Sequence, residues 1–160
     1  EQLSLDASEP DNLLPLAQLT KLQRLNLSGF TFLDLAPLAK LTGLTSLDLG
    51  NRPISNIAPL AGLTSLEELQ LYTTKVRDPS PLYGLTRLTV LNLVNTAIPP
   101  NISWVKRFPA LKQLGLESLG ITDISPLAQL TELEYLYLAR NRITDLSTLS
   151  KLTRPRYLSR

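Results

Sequence analysis

The pattern Leu-x-x-Leu-x-Leu returns along the whole chain at a nearly constant interval, and this limits the possible fold more than any other feature. Aligned on the second leucine of the pattern, the positions are Leu3, Leu25, Leu47, Leu69, Leu91, Leu114, Leu136 and Leu158, spaced by 22 residues except for one step of 23. A period of this length is typical of repeat architectures. One unit cannot bury its own apolar side, so neighbouring units are expected to stack and share a core.

Each unit contains two different apolar spacings. The Leu-x-x-Leu-x-Leu part alternates with period two, which predicts a short strand with leucines on one face. The following part, seen in "ISPLAQLTEL", spaces its apolar residues by three, which predicts a 3₁₀ or short α-helical turn. Proline recurs in one column of this turn, at Pro37, Pro59, Pro81 and Pro126, and suits the first helical position. Ser80 and Ser125 precede two of these prolines and are predicted to be N-caps.

The stretches "LTSLDLGNRPISNIAPLAGLTSL" and "LEYLYLARNRITDLSTLSKL" resemble leucine-rich repeats of the 22-residue class. Bacterial internalins and the leucine-rich regulatory subunit of protein phosphatase 1 are built from such repeats. The resemblance implies an α/β solenoid: a right-handed horseshoe with a parallel β-sheet on the concave face and 3₁₀ or short α turns on the convex face. We expect residues 1–160 to form a single domain of about seven repeats, as a fragment of a longer protein.

One column departs from the family pattern. The family usually places Asn three residues after the last strand leucine, where its amide satisfies backbone groups of adjacent turns. Here the column reads Ser8, Phe30, Arg52, Thr74, Thr96, Leu119 and Asn141. Asn141 alone fits, and Thr or Ser substitutes in part through a hydroxyl. Because Phe30 and Leu119 have no polar group, we expect water or a shifted backbone at those two turns.

The single 23-residue step lies in "IPPNISWVKRFPAL", with its extra residue near Pro99 and Pro100. Trp104 occupies the column that holds proline in most other repeats. We interpret this tryptophan as a structural residue that covers the convex edge of an irregular turn, since isolated large apolar side chains at a surface are common.

The composition does not favour catalysis. The chain has no Cys and no His, so thiolate chemistry, disulfides and the commonest general base are excluded. Its seven glycines are dispersed and form no phosphate-binding loop. We therefore expect a non-enzymatic protein without a cofactor. No apolar run reaches the roughly 18 residues needed to span a bilayer, so membrane insertion is not expected.

Charge is distributed unevenly, with six basic and nine acidic residues in 1–80 against ten and five in 81–160. The basic residues are mostly scattered, which favours a solvated surface over a nucleic-acid partner. A second polar column, Asn12, Asp34, Asn56, Asp78, Asn101, Asp123 and Asp145, could in principle bind Ca²⁺. Because Asn and Asp interchange along it, we interpret it as a set of turn residues that bond to nearby backbone.

Strand alternation leaves a second set of side chains pointing outward on the concave face. Tyr135 and Tyr137 stand two residues apart there, between inward leucines. Tyr and Arg are the side chains that most often anchor protein interfaces. The predicted partner-binding residues are Arg24, Asp48, Glu68, Gln70, Tyr72, Asn92, Val94, Glu117, Tyr135, Tyr137 and Arg140.

The sequence therefore predicts a monomeric interaction module that binds a protein or peptide on its concave face. Two alternatives remain at this point: a regulatory repeat segment of a larger enzyme, such as a GTPase or phosphatase partner, and a structural spacer without a specific ligand. A bacterial surface, secreted or cytoplasmic location is compatible with each of them.

Overall fold

A computed structural model describes residues 2–4, 13–28, 34–152, 154 and 156–159. Within these residues eight strands, β1 to β8, form one parallel sheet in chain order: Gln2–Ser4, Arg24–Asn26, Ser46–Asp48, Glu68–Gln70, Val90–Asn92, Gln113–Gly115, Tyr135–Tyr137 and Tyr157–Ser159. The aligned leucines are register partners throughout, from Leu3 beside Leu25 to Leu136 beside Leu158. The predicted repeat register is thus confirmed, including the step of 23 residues.

Each strand is three residues long, and β2 to β7 bury their central leucine. In β3, Leu47 is buried, whereas Ser46 and Asp48 on either side are half-buried. The backbone ladder extends past the strand ends, because Leu49 N–H donates to the Gln70 carbonyl at 2.9 Å. The outward face of this sheet is called the concave face below.

Short helical turns return the chain on the opposite side of the core. All seven that lie within the described residues are 3₁₀ rather than α: Leu14–Gln18, Ala36–Lys40, Ala58–Leu60, Ser80–Leu82, Ser103–Arg107, Ser125–Gln129 and Ser147–Lys151. In five of these seven turns proline occupies the second position and not the predicted first, as Pro37 does in Ala36–Lys40. The second N–H of a helix also lacks an intrahelical acceptor, so proline removes no bond there. The expected architecture of sheet on one face and 3₁₀ turns on the other is confirmed.

The prediction that Ser80 and Ser125 are N-caps is wrong. Both residues are the first residue of their 3₁₀ turn, and the residue before each makes no side-chain capping bond. The acceptor stands two residues earlier: Asp78 Oδ1 accepts the Ser80 N–H at 2.9 Å, and Asp123 Oδ1 accepts the Ser125 N–H at 2.8 Å.

The same local bond recurs along the Asp/Asn column. The acceptors are Asp34, Asn56, Asp78, Asn101, Asp123 and Asp145, each receiving the N–H of the residue two positions later at 2.8 to 3.0 Å. Asn12 lies outside the described residues. The interpretation of this column as turn residues is confirmed for its six described members, since both Asp and Asn supply the required oxygen.

Trp104 belongs to the core. Its side chain is 8% exposed, and its ring meets Phe108 edge-on with centroids 6.2 Å apart. It occupies the second position of Ser103–Arg107, where most other repeats place proline. The structural interpretation of Trp104 is confirmed, although the residue is buried within the turn and not exposed over its edge.

In five repeats of the described part of the chain, the residue two positions after the last strand leucine has a left-handed backbone. Asn51, Thr73, Asn95, Ser118 and Arg140 all have φ between 55° and 61°. Asn tolerates this region, whereas a β-branched residue such as Thr is rarely found in it. This requirement explains why Asn51 and Asn95 stand one position before the family's Asn column.

Asn141 makes the hydrogen bonds to the backbone of adjacent turns that are expected of the family's Asn column. Its Nδ2 donates to the carbonyls of Leu116 and Leu138 at 2.8 Å, and its Oδ1 accepts the N–H groups of Leu119 and Ile121 at 3.1 Å. The expectation of water or a shifted backbone at Leu119 stays a prediction, although part of the hydrogen bonding at that turn is met by other side chains. An Asn at position 119 would contact the carbonyls of Leu93 and Leu116, and both already accept hydrogen bonds. The Leu93 carbonyl accepts one from Thr96, and the Leu116 carbonyl accepts one from Asn141.

The earlier turns replace the Asn in different ways. Thr74 Oγ1 donates to the Leu71 carbonyl at 2.8 Å, and Thr96 Oγ1 donates to the Leu93 carbonyl at 2.9 Å. Arg52, which the sequence does not mark as a substitute, is 1% exposed, and its guanidinium donates to the Leu27 carbonyl of the preceding repeat. Ser8 and Phe30 lie outside the described residues.

Candidate protein-binding face

Two hollows with a different chemical character lie on the described part of the concave face. The first lies over β4 to β7, has a volume of about 440 Å³ and is called the central hollow. It is lined by Tyr72, Thr73, Asn92, Val94, Gln113, Gly115, Glu117 and Tyr137. The second, called the polar hollow, lies over β2 to β4 and has a volume of about 280 Å³. The predicted site is therefore divided between two places on one sheet.

Gly115 forms the floor of the central hollow. It pairs with Asn92 on β5 and with Tyr137 on β7, so it is the one member of this row without a side chain between two larger neighbours. A Cβ atom built there would come within 2.7 Å of Asn92 Oδ1 and 3.1 Å of Val94 Cγ2. The side chains of Asn92 and Val94 therefore lie over Gly115, and a larger residue at this position would displace them.

A second glycine, Gly50, leaves space for the ring of Tyr72 at the far wall of the central hollow. A Cβ atom added to Gly50 would lie 2.2 Å from the ring of Tyr72, so the ring occupies the space above Gly50. Tyr72 is half-buried in this position. Packing against a neighbouring backbone fixes the ring and lowers the conformational entropy that a partner would have to remove on binding.

Tyr137 and Glu117 are both braced by β8. The rings of Tyr137 and Tyr157 lie 5.2 Å apart and are tilted by 44°. The Ser159 hydroxyl donates to Glu117 Oε1 at 3.0 Å. The last strand therefore holds two side chains of the central hollow in place, although its own central leucine is 41% exposed.

The polar hollow contains four of the predicted residues, Arg24, Asp48, Glu68 and Gln70, together with Leu25, Asn26 and Ser46. Part of its polar surface is engaged within the chain. Ser46 Oγ donates to Glu68 Oε2 at 3.0 Å, and Asp48 Oδ1 accepts the Gly50 N–H at 2.8 Å. Asn92 in the central hollow accepts the Val94 N–H at 3.1 Å in the same manner. These side chains therefore hydrogen-bond within the chain and also form part of the exposed surface of the concave face.

Two predicted residues lie outside both hollows. Tyr135 is 36% exposed on the concave face of β7. Arg140 lines a hollow of about 270 Å³ at the C-terminal end, among Leu138, Ile143, Leu146 and other core residues. The structure thus brings together Tyr72, Asn92, Val94, Glu117 and Tyr137, and leaves Tyr135 and Arg140 apart from them.

Gly115, Thr73 and Gln113 also line the central hollow and Tyr157 contacts Tyr137, but none of the four is among the predicted partner-binding residues. The signal for Gly115 was present, because a glycine in an outward strand column creates a gap where other repeats carry a side chain. The signal for Tyr157 was also present, since it pairs with Tyr135 in register. Thr73 could not be found from strand alternation, because it belongs to the left-handed turn and not to the strand.

Three glutamates that precede strands are paired with arginines in the next repeat. Glu67 contacts Arg87 at 2.6 Å, Glu132 contacts Arg154 at 2.6 Å and Glu134 contacts Arg156 at 3.2 Å. Such exposed pairs contribute little to stability, but they reduce the net charge along that edge. Glu117 differs from them, since the contact described for it is with a neutral hydroxyl.

The aspartates of the Asp/Asn column accept hydrogen bonds from the backbone of their own loops. The pKa values of Asp78, Asp123 and Asp145 are lowered, first by the backbone N–H bond from the serine two residues later and then by that serine's hydroxyl. Among the described residues there is no group of three or more Asp or Glu that could hold a metal ion. Nor does any helix in the described part of the chain have the length and hydrophobicity to cross a bilayer.

The sequence pattern of the family described as Leucine Rich repeats (2 copies) matches residues 20–62 and 109–151, which is more than half of the chain. Among solved structures, internalin C2 of Listeria monocytogenes is 33% identical, with a TM-score of 0.89 over 99% of this chain and 70% of that chain. An internalin, inlF, of the same organism is 29% identical, with a TM-score of 0.71 over 98% of this chain and 60% of that chain.

A more distant match shares the fold alone. The leucine-rich repeat ectodomain of an Arabidopsis thaliana membrane receptor kinase, in complex with CASPARIAN STRIP INTEGRITY FACTOR 2, is 21% identical, with a TM-score of 0.78 over 99% of this chain and 24% of that chain. No curated protein sequence matches significantly. With its repeat register, its single parallel sheet and these matches, the chain belongs to the leucine-rich repeat family and is similar to internalins.

Proposed function

We propose that this chain is a protein-interaction module that binds a protein or peptide segment through the central hollow of its concave face. The observation that carries the proposal is the hollow itself, which is lined by Tyr72, Val94 and Tyr137 among others. Hollows of a few hundred Å³ with apolar walls and a few polar groups are the usual form of a binding site.

The side chains of the hollow suit a partner's side chains. Tyrosine buries a large area, loses little conformational freedom and keeps a polar end, which makes it a frequent anchor at interfaces. Tyr72 rests on Gly50 and Tyr137 rests on Tyr157, so both are already ordered before a partner arrives. The receptor-kinase ectodomain solved in complex with a second protein supports the use of this fold for protein binding.

Selection from a library of random 12-residue peptides displayed on phage tests the proposal. Peptides that bind the immobilised chain are titrated by fluorescence anisotropy against the wild type and against the Tyr72→Ala/Tyr137→Ala double variant. Removal of two central aromatic anchors is expected to weaken binding by a factor of about 30 or more.

The matched control is the Lys106→Ala/Gln129→Ala double variant, which removes two exposed side chains from the convex turns. It should bind the same peptides as tightly as the wild type. The proposal is overturned if no peptide is enriched above background, or if the convex variant loses binding while the tyrosine variant retains it. Circular dichroism and urea titration establish that both variants are folded.

A further inference from the structure

We infer that the central hollow recognises a positively charged side chain of its partner, an arginine in first place, through Glu117 and Tyr137. The inference rests on the proposed function and adds the chemistry of the residue that is bound. In this arrangement the guanidinium group contacts the Glu117 carboxylate and the ring of Tyr137. Its methylene stem lies against Val94, and Tyr72 closes the far side.

The charge of the hollow supports a cation. Of the eight described residues that line it, Glu117 alone carries a charge at neutral pH. Its side chain is half-buried, and Ser159 donates to it as a neutral hydroxyl, so the negative charge is ordered without being neutralised by that bond. A half-buried carboxylate attracts a cation more strongly than an exposed one, because solvent screens it less.

The aromatic ring beside the carboxylate strengthens the same preference. Tyr137 lines the same hollow as Glu117, and its strand is adjacent to β6, which precedes Glu117, at a spacing of roughly 4.8 Å. The face of a tyrosine ring attracts a cation through its quadrupole, and Arg is the more frequent partner. This chain already contains one such contact on its convex side, where the Arg107 guanidinium lies 5.5 Å from the Tyr83 ring centroid.

Arginine fits the hollow better than lysine or a neutral side chain. Its planar group can lie against a ring while donating two bonds to a carboxylate, which an ammonium group cannot do. The hollow of about 440 Å³ accommodates the long stem, and Val94 supplies an apolar contact for it. A neutral apolar side chain would instead cover the Glu117 carboxylate without replacing its bonds to water, which is unfavourable.

The polar hollow offers a matched control for the charge. Glu68 accepts a bond from the Ser46 hydroxyl at 3.0 Å, as Glu117 does from Ser159, but no tyrosine lines its hollow. Glu68→Gln and Glu117→Gln therefore make the same chemical change in two places on one face. In each case the glutamine oxygen can still accept the serine hydroxyl, so neither change should unfold the chain.

The experiment uses the phage-selected peptides and their synthetic copies in fluorescence titrations. Arginine should be enriched at one peptide position, and Glu117→Gln should weaken binding about tenfold, whereas Glu68→Gln should change it by less than twofold. Replacing the enriched arginine by citrulline, its neutral isostere, should cause the same tenfold loss. Combining citrulline with Glu117→Gln should add little further loss, as expected for two partners in one interaction.

The outcomes separate the two proposals. In one outcome, the selected peptides lose affinity in the Tyr72→Ala/Tyr137→Ala variant and yet show no enrichment of arginine or lysine and no response to Glu117→Gln. In that case the inference of a bound cation is wrong, and the proposal that the concave face binds a peptide is supported. If Glu68→Gln weakens binding as much as Glu117→Gln, the recognition of charge is a property of the whole face and the assignment to Glu117 is also wrong. If binding is insensitive to the tyrosines, both proposals fail.

Discussion

The turn after β7 and the turns after β4 and β5 use different side chains to hydrogen-bond the backbone at equivalent positions of the repeat. Asn141 makes four hydrogen bonds to the backbone of two repeats. Thr74 and Thr96 each make one described side-chain bond, to the carbonyl three residues earlier in the same repeat. The register of the sheet is nevertheless continuous through both regions.

This difference indicates which feature of the repeat determines the fold. The residue before the column has φ near 55° to 61° in both regions, so the backbone of the turn is the same whether Asn or Thr follows. The strand leucines beneath the turns are fully buried in the middle repeats, as Leu91 and Leu93 are. The leucine core therefore sets the geometry, and the Asn column adds stability to turns that the core has already shaped.

The largest effect is expected from the core. Leu93→Ala removes a side chain with 0% exposure and leaves a cavity, which should lower the free energy of unfolding by about 2–5 kcal/mol. Urea titration followed by circular dichroism measures the loss. A loss near zero would mean that the turns, and not the leucines, determine the stability of the middle repeats.

Much of the fold could be predicted because it depends on spacing alone. The leucine columns gave the strand register at every step, and the change from period two to period three gave the position of each 3₁₀ turn. Ser80 and Ser125 were assigned incorrectly because a 3₁₀ turn of three to five residues begins one residue earlier than the α-helix that the N-cap rule describes.

The candidate site was predicted less completely, for a physical reason. Alternation identifies which residues point outward, and this identified Tyr72, Val94, Glu117 and Tyr137. It does not predict depth, which here depends on Gly115, a residue that contributes no side chain. It also does not reveal bonds such as that between Ser159 and Glu117, which joins two repeats 42 positions apart in the chain.

The second largest effect is expected at Asn141. Asn141→Ala removes four hydrogen bonds and should lower the free energy of unfolding by about 2–4 kcal/mol. Asn141→Thr converts this turn to the type found at Thr74, because a hydroxyl there can still donate to the Leu138 carbonyl. It should cost about half as much in the same urea titration. Equal losses for Ala and Thr would mean that the bond within the repeat contributes nothing.

A smaller loss is expected at the threonine turns. Thr74→Val keeps the shape of the side chain and leaves the Leu71 carbonyl without its bond from Oγ1, at a cost of about 1 kcal/mol. Thr96→Val should cost less, because the Leu93 carbonyl also accepts the Thr96 N–H at 3.3 Å. Thermal unfolding of both variants tests the order, and a larger loss for Thr96→Val would contradict it.

A gain in stability is expected at the residue before the column. Thr73 has φ of 55°, a region that a β-branched residue rarely adopts, whereas Asn51 and Asn95 occupy the same position in neighbouring repeats. Thr73→Asn should raise the free energy of unfolding by roughly 0.5–1 kcal/mol. The reverse change, Asn51→Thr, should lower it by a similar amount. Both are measured as shifts of the urea midpoint, and shifts of the same sign would refute the role of the backbone.

The smallest effect is expected from the loop aspartates, and it appears only in acid. The pKa values of Asp78, Asp123 and Asp145 are lowered from 3.8 by bonds from the following serines, so each carboxylate is favoured in the folded state. A depressed folded pKa contributes stability that is complete above the unfolded value and is lost as the pH falls through the folded one. Stability should therefore decline below about pH 4.

Asn56 and Asn101 accept the same backbone bond without titrating, so the Asp78→Asn/Asp123→Asn/Asp145→Asn variant should keep its turns. Urea midpoints measured at pH 7, 4 and 2.5 should fall less for this variant than for the wild type, and Asn56→Asp should make the fall steeper. If the triple variant loses as much stability in acid as the wild type, the acid sensitivity arises elsewhere, at groups such as the arginine-paired Glu67 and Glu132. A difference confined to low pH, with equal midpoints at pH 7, would show that Asn and Asp are interchangeable in this column for as long as the carboxylate stays ionised.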